Sequence, residues 1–185
     1  TLFIATPLIF SALATMVAFK AGLFNIGMQG QMVAGGLAAT FWGITFKNYV
    51  FGNVFVVILV AVIAGFLWAG VAGLLRAKFG VNEVISTIML NYIMIEVQNF
   101  LLNGILKDTT TQNTQSPRVF EGARLPLLFA KVTKQNLNFG FVIAILLTIG
   151  IFFFFKYFKK GYEIKAVGQS DTVAENAGIN PKYIM

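Results

Sequence analysis

The sequence predicts an all-α, polytopic membrane protein, and three observations support this fold class. Hydrophobic residues make up 57% of the 185 residues and charged residues only 11%, with a mean hydropathy of +0.78. Soluble domains contain about 45–50% apolar and about 25% charged residues, so a soluble protein is excluded. The apolar residues form five runs of roughly the ~20 residues that a helix needs to cross a bilayer. The Lys and Arg residues lie mainly at the ends of these runs, as in membrane proteins with basic cytoplasmic edges.

The five predicted spans cover residues 2–19, 22–46, 53–75, 82–106 and 139–155. Residues 107–137 form a polar external loop, and residues 156–185 form a basic, then polar cytoplasmic region. Eight cations on the side where the fifth span ends, against six on the other side, put that end in the cytoplasm. The chain is therefore expected to be a multi-pass protein of the cell membrane. This orientation places residue 1 outside, so we expect a preceding span in a longer chain.

The second predicted span carries a stripe of glycine and polar residues, formed by Gly22, Asn25, Gln29, Gly36 and Thr40. Within a bilayer, such a stripe faces protein or a water-filled path rather than lipid. Hydrogen bonding between helices and a translocation path are both open interpretations. Residues 25–27 and Gly30 are also expected to interrupt this helix, as in transporters with broken helices.

The third predicted span carries small residues at spacings of four, which are Ala61, Gly65, Ala69 and Gly73. Small residues on one stripe let two helix backbones approach closely in lipid. We therefore expect this stripe to pack tightly against another helix.

The fourth predicted span is polar on two sides. One side carries Glu83, Thr87, Asn91 and Gln98, and the nearly opposite side carries Tyr92, Glu96, Asn99 and Asn103. A mid-span charge costs about 3 kcal/mol unless it is paired or protonated, so we expect protein rather than lipid around Glu96. Glu83 lies near the cytoplasmic end, where it is expected either to be solvated or to pair with Arg76 or Lys78. The candidate translocation path consists of Asn25, Gln29, Asn82, Glu83, Thr87, Asn91 and Glu96.

A short, well-capped helix is predicted at residues 171–177, in the cytoplasmic region. Ser170 and Asp171 supply side chains that cap helix N-termini. Thr172 and Glu175 have the spacing of a capping box. Gly178 suits the position that follows the last helical residues.

Several classes of chemistry are excluded by residues that the sequence lacks. The chain contains no Cys and no His, so thiolate nucleophiles, Cys-ligated zinc and the commonest general base are missing. It also contains no Gly-x-x-x-x-Gly-Lys-Ser/Thr phosphate loop. We therefore expect no resident cofactor or metal and no enzymatic activity in this chain. The net charge of +7 marks the membrane edges and does not indicate nucleic-acid binding.

Four stretches of the chain resemble one known family. Residues 22–31 read Gly-Leu-Phe-Asn-Ile-Gly-Met-Gln-Gly-Gln, and residues 80–92 read Gly-Val-Asn-Glu-Val-Ile-Ser-Thr-Ile-Met-Leu-Asn-Tyr. Residues 6–9 and 161–180 agree in order and spacing. The chain is similar to permease subunits of ATP-binding-cassette (ABC) importers for nucleosides, simple sugars and branched-chain amino acids, with the nucleoside branch fitting best. Members often have an acidic residue where this chain has Gln29, so a possible intramembrane charge is missing there and hydrogen bonding by the amide stays open.

The resemblance implies a ten-span fold like that of vitamin B12 importer permeases, of which this chain is a part. It implies three protein partners: an ABC ATPase subunit, a second permease subunit and an extracellular substrate-binding protein. The short cytoplasmic helix is then the coupling helix that contacts the ATPase, through Ser170, Asp171, Glu175, Asn176 and Gly178. The loop 107–137 is either a docking surface for the binding protein or a flexible connector.

A second function from a different class stays open at this point. In an ion-coupled secondary transporter, Glu96 or Glu83 would be the proton or sodium site, because carboxylates within spans serve this role. That function leaves the predicted short helix without an assigned role.

Overall fold

The computed structural model is all-helical in the residues that it describes, which are 2–47, 53–109, 113–128 and 137–180. Seven α-helices occur there: α1 (Leu2–Lys20), α2 (Met28–Thr45), α3 (Val54–Phe79), α4 (Glu83–Asn103), α5 (Gly140–Tyr157), α6 (Lys159–Gln169) and α7 (Asp171–Asn176). A 3₁₀ helix, Glu121–Ala123, lies between α4 and α5. The all-α prediction is thus confirmed for the described part of the chain.

Four of these helices, α1, α3, α4 and α5, are long and apolar enough to cross a membrane. The second predicted span, residues 22–46, differs from the structure at its start. Residues 23–26 are not helical, and α2 begins only at Met28. The interruption follows Gly22, whose φ of +75° lies in the left-handed region that favours glycine. The 18 residues of α2 include two glutamines and four glycines, and α2 is not among the four apolar helices.

The chain forms two compact units, and residues 26–125 make one of them. Within it, α2 and α3 pack through small residues. A Cβ added to Gly35 would lie 3.0 Å from the carbonyl oxygen of Ala61, and one added to Gly65 would lie 3.4 Å from that of Gln31. The predicted small-residue stripe of α3 therefore meets α2 at Ala61 and Gly65. Gly73, its last member, has no atom within 4 Å of an added Cβ.

The turn from α3 to α4 is closed by three local interactions. Gly80 ends α3 with a φ of +63°, and its N–H donates to the carbonyl of Arg76 at 3.0 Å. The Asn82 side chain caps α4 by accepting the Val84 N–H at 2.9 Å. Arg76 and Glu83 form an ion pair across the turn, so of the alternatives for Glu83 the structure shows pairing with Arg76.

Within this unit, the connection that follows α4 is anchored to α2 near Val119 and Phe120. The Phe120 N–H donates to the Gly43 carbonyl at 3.0 Å, and a Cβ on Gly43 would lie 3.1 Å from the Val119 side chain. The Arg124 guanidinium donates twice to the Val119 carbonyl, at 2.7 and 3.1 Å. Residues 110–112 and 129–136 of the predicted loop 107–137 lie outside the described residues.

The other unit comprises residues 1–25 and 126–185, with α1, α5, α6 and α7. Here α6 packs on the C-terminal ends of α5 and α1 through two glycines. A Cβ on Gly161 would fall onto the Phe154 carbonyl oxygen and 2.8 Å from Phe155 Cα. A Cβ on Gly168 would fall onto the Lys20 carbonyl oxygen and 2.8 Å from the Gly22 nitrogen. Main chain thus contacts main chain at both ends of α6.

Candidate functional site

Asn91 on α4 binds the start of α2 with both ends of its side-chain amide. Its Oδ1 accepts the Gly30 N–H at 2.8 Å, and its Nδ2 donates to the Ile26 carbonyl at 3.1 Å. Gly30 is the third residue of α2, and its N–H is one of those that a capping side chain normally accepts. The N-cap residue of α2 is Gly27, which has no side chain for this purpose. Asn91 therefore caps α2 from a neighbouring helix.

Three helices meet at Gly30. A Cβ on Gly30 would lie 2.9 Å from Asn91 Oδ1, 3.2 Å from Asn91 Cα and 3.0 Å from the Trp68 Nε1 of α3. Trp68 Nε1 is buried and has no hydrogen-bond partner within the described residues. The absence of a side chain at residue 30 lets the α4 amide and the α3 indole reach the same stretch of α2 backbone. We call Gly30, Trp68 and Asn91 the three-helix junction.

Other predicted path residues of α4 are engaged at the start of their own helix. Asn82 is its N-cap, and Glu83 is its first residue, paired with Arg76. Thr87 is only 2% exposed, and its hydroxyl donates to the Glu83 carbonyl at 2.7 Å. Among the predicted candidates on α4, Asn91 therefore binds α2 by hydrogen bonds and Glu83 pairs with Arg76 of α3.

The opposite side of α4 is exposed in the described structure. Tyr92 is 68% exposed, and Glu96 lines a surface groove there together with Ile93, Val97 and Phe100. Gln29 is exposed on α2. Asn25 is half-buried in the non-helical stretch before α2 and belongs to the unit of α1. Within residues 26–125, Asn91 and Glu96 therefore lie in different surroundings, the first bound to α2 and the second exposed.

Helix α7 forms where the sequence predicts a short helix. It ends in a Schellman turn, in which the Ile179 N–H donates to the Ala174 carbonyl and the Gly178 N–H to the Glu175 carbonyl, both at 2.9 Å. Gly178 has a φ of +77°, as expected for the residue after a helix. Glu175 and Asn176 are exposed.

The N-terminal end of α7 differs from one prediction. Thr172 is the second residue of the helix, so the predicted capping box of Thr172 and Glu175 is wrong. The Ser170 carbonyl accepts the Ala174 N–H at 3.0 Å, which places Ser170 at the N-cap. The Ser170 hydroxyl lies 3.1 Å from that of Thr172. The side chain of Asp171 and residues 181–185 lie outside the described part of the chain.

Helix α6 is a feature that the sequence reasoning missed. Its signal lies in charges at helical spacing, because Glu163 pairs with Lys159 at 3.7 Å and with Lys160 at 3.1 Å. Gly161 and Val167 are buried on α6, while Tyr162 is 67% exposed. The helix is amphipathic and joins the end of α5 to α7.

The comparisons with known proteins agree on one family. Residues 1–185 match the family described as "Branched-chain amino acid transport system / permease component". The chain is 34% identical over 177 residues to the guanosine ABC transporter permease protein NupP of Bacillus subtilis. It is 36% identical over 182 residues to the nucleoside ABC transporter permease protein NupB of Lactococcus lactis, and 33% identical over 183 residues to the glucose ABC transporter permease protein TsgB13 of Haloferax volcanii.

These alignments cover 95% of this chain and 48–50% of each of the three relatives. The chain therefore spans about half the length of the curated relatives that it matches. No solved structure matches the chain.

Proposed function

Because this chain belongs to the permease-component family of branched-chain amino acid transport systems, we propose that it forms part of the membrane permease of an ABC importer for nucleosides. The chain lies in the membrane, with α1, α3, α4 and α5 suited to spanning it. ATP is hydrolysed on a separate subunit, as the names of the relatives, which are permease proteins of ABC transporters, suggest. The whole permease has the ten-span fold of vitamin B12 importers, of which this chain supplies roughly half.

The observation that carries this proposal is α7, a six-residue helix closed by a Schellman turn directly after the membrane-associated helices. A short helix with defined ends transmits displacement better than an extended loop does. We assign to it the contact with the ATPase, through Ser170, Asp171, Glu175, Asn176 and Gly178. ATP binding closes the ATPase subunits, and α7 passes their motion to α6 and so to α1 and α5, on which α6 packs.

The other partners follow from the same function. An extracellular substrate-binding protein delivers the solute to the outer mouth, and a second permease subunit, identical or homologous, completes the path. The described loop residues 113–128, anchored on Gly43, offer the binding protein a docking surface. Nucleoside is the proposed solute because two of the relatives named above carry guanosine or nucleoside in their names.

The translocation path runs along α2 and α4, where the three-helix junction fixes the backbone of the interrupted span. Asn91 holds that backbone in place, so the remaining polar residues of the stripe, such as Gln29, are presented from a defined helix start. Amide side chains beside aromatic rings suit the polar edges and flat faces of a nucleobase.

Uptake measurements test the substrate and the energy source together. The complete transporter is reconstituted in vesicles with its binding protein, and labelled guanosine uptake is measured with unlabelled nucleosides, pentoses and branched-chain amino acids as competitors. We expect competition by nucleosides alone and uptake that requires ATP but survives collapse of the proton and sodium gradients. Full uptake without any ATPase subunit would overturn the proposal.

The contact with the ATPase is tested by charge changes on α7. Asp171→Lys with Glu175→Lys is expected to abolish ATP-driven uptake, and Asp171→Asn with Glu175→Gln to reduce it. The neutral pair separates lost contacts from the damage that a lysine causes at a helix N-terminus. Lys159→Gln on α6 is the control, and uptake by this variant should stay near that of the wild type.

The same gradient experiment distinguishes the ion-coupled secondary transporter. Glu83 forms an ion pair with Arg76. Glu96 is therefore the carboxylate that would bind the coupling ion in such a transporter. If uptake stops when the ion gradients collapse at constant ATP, and Glu96→Gln has the same effect, ion coupling replaces the proposed function.

A further inference from the structure

A groove between α1 and α5 combines an apolar floor with two lysines at one end. It has a volume of about 390 Å³ and is lined by Leu13, Met16, Lys20, Thr148, Phe152, Phe155 and Lys156. The hydroxyl of Thr148 donates to the Ala144 carbonyl at 2.8 Å, so that side chain presents its methyl group and no free donor. The groove wall below the lysines is therefore hydrocarbon.

The two lysines lie at the same end of the groove because both helices end there. Lys20 is the last residue of α1, and Lys156 is in the last turn of α5. Thr148 precedes Lys156 by eight residues, so at 1.5 Å per residue the groove reaches roughly 12 Å below the lysines. One leaflet contributes about half of the ~30 Å hydrocarbon core. The groove depth thus matches most of an acyl chain in one leaflet.

Neither lysine is neutralised within the described residues. The ion pairs there join Arg76 to Glu83, and Lys159 and Lys160 to Glu163. The Lys156 ammonium instead lies 5.5 Å from the Phe152 ring and 5.2 Å from the Tyr157 ring. These cation–π contacts keep the ammonium at the rim of the groove. The site therefore offers two positive charges above an apolar channel.

We propose that this groove binds one anionic phospholipid, with its phosphate between Lys20 and Lys156 and an acyl chain along Leu13, Met16 and Phe155. A free phosphate would leave the apolar wall uncovered, and an apolar helix would leave two lysines without counter-charge. An anionic lipid of the cytoplasmic leaflet covers the apolar wall with its acyl chain and neutralises the lysines with its phosphate. Basic pockets between spans on that side bind such headgroups. The leaflet assignment follows from the orientation predicted by the charges at the helix ends.

Lipid retention provides the direct test. The complete permease is purified from vesicles of phosphatidylcholine with phosphatidylglycerol, and bound lipids are counted by native mass spectrometry. Each lysine near an anionic headgroup contributes about a factor of five, so K20Q with K156Q is expected to weaken phosphatidylglycerol binding roughly thirtyfold. The matched control, K159Q with K160Q, removes the same charge from α6 and is expected to retain the lipid.

A second variant tests the contribution of the apolar channel separately from that of the two lysine charges. Met16→Trp fills the apolar channel and keeps both lysines, so the lipid should be lost while phosphatidylcholine at the protein surface stays unchanged. Met32→Trp on α2, a residue that is 46% exposed, is the control for an added indole. Equal phosphatidylglycerol retention by wild type and K20Q with K156Q would overturn the proposal. So would cross-linking that places another helix of the permease in the groove.

Discussion

Asn91 Oδ1 accepts the backbone N–H of Gly30 at 2.8 Å, across 61 residues of sequence. The bond gives α2 the cap that its own N-cap residue, Gly27, does not provide. The first N–H groups of a helix have no partner within that helix, and here a side chain of α4 satisfies one of them. The interruption before α2 is therefore stabilised from α4.

Adding one methyl group at the three-helix junction should be destabilising. In Gly30→Ala the new Cβ would lie 2.9 Å from Asn91 Oδ1 and 3.2 Å from Asn91 Cα, which is backbone and cannot rotate away. We expect a loss of about 1–3 kcal/mol, as for other overpacked sites, measured by thermal unfolding of the purified permease. Gly36→Ala on the same helix meets no atom within 4 Å and should be neutral or slightly stabilising.

Replacing the capping amide tests the hydrogen bonds themselves. Asn91→Leu removes both bonds and leaves the Gly30 N–H and the Ile26 carbonyl unsatisfied, which should cost about 1–3 kcal/mol. Asn91→Asp keeps an acceptor for Gly30 but loses the donor to Ile26, so an intermediate thermal stability is expected. Asn99→Leu, on the exposed side of α4, is the control. Equal melting temperatures for the Leu variants at 91 and 99 would contradict the capping role.

The charges at the turn between α3 and α4 should not be interchangeable. Arg76 is near the C-terminus of α3 and Glu83 begins α4. Each charge therefore interacts favourably with the dipole of its own helix. Glu83→Gln should cost about 0.5–1 kcal/mol, a small value because Arg76 is partly exposed. Arg76→Glu combined with Glu83→Arg restores the pair but reverses both dipole interactions. The double variant should therefore unfold at a lower temperature than the wild type, and full recovery would argue against the dipole contribution.

Gly168 should tolerate no side chain. A Cβ there would fall onto the Lys20 carbonyl and 2.8 Å from the Gly22 nitrogen, both of which are main chain. Gly168→Ala must displace α6, so we expect at least a severalfold loss of uptake together with lower thermal stability. Gly150→Ala in the middle of α5 meets nothing within 4 Å and should behave as the wild type. Normal uptake by Gly168→Ala would show that the contact is not needed.

At the end of α7, the cost of a left-handed backbone conformation can be measured without a change in side-chain packing. Gly178 has a φ of +77° and no atom within 4 Å of an added Cβ, so only the conformation opposes a side chain. Gly178→Ala should cost about 1 kcal/mol of helix-end stability, and Gly178→Asn should cost less, because Asn adopts this conformation more readily. Amide hydrogen exchange at Ile179, which donates to Ala174, measures the difference.

The sequence predicted those elements whose signals are local. Hydrophobic length predicted α1, α3, α4 and α5, and Gly178 with its preceding charges predicted α7. The ion pair of Glu83 was also predictable, because Arg76 lies only seven residues away across a glycine turn. The sequence also suggested the interruption at residues 25–27. The expectation that Gly30 interrupts the helix as well was wrong, because Gly30 is the third residue of α2.

Other features depend on contacts between distant residues. The stripe of Gln29, Gly36 and Thr40 was predicted to face protein or a water-filled path. The buried residues of α2 are Gly30, Ala34, Gly35 and Gly43. Only small residues let the backbone of α2 approach α3 and α4 closely. The polarity of a residue does not show whether it lies at such a contact. Helix α6 was missed because its charged residues resemble a cytoplasmic tail, whereas Gly161 and Gly168 dock it against α5 and α1.

The contact between Gly168 and Gly22 has a mechanical consequence. A displacement between two helices is usually absorbed in part when side chains between them change rotamer. Here no side chain intervenes, since a Cβ on Gly22 would lie 3.1 Å from Gly168 Cα. We therefore expect a shift of α6 to reach residues 20–22 with little loss, so that the end of α1 and the end of α6 move together.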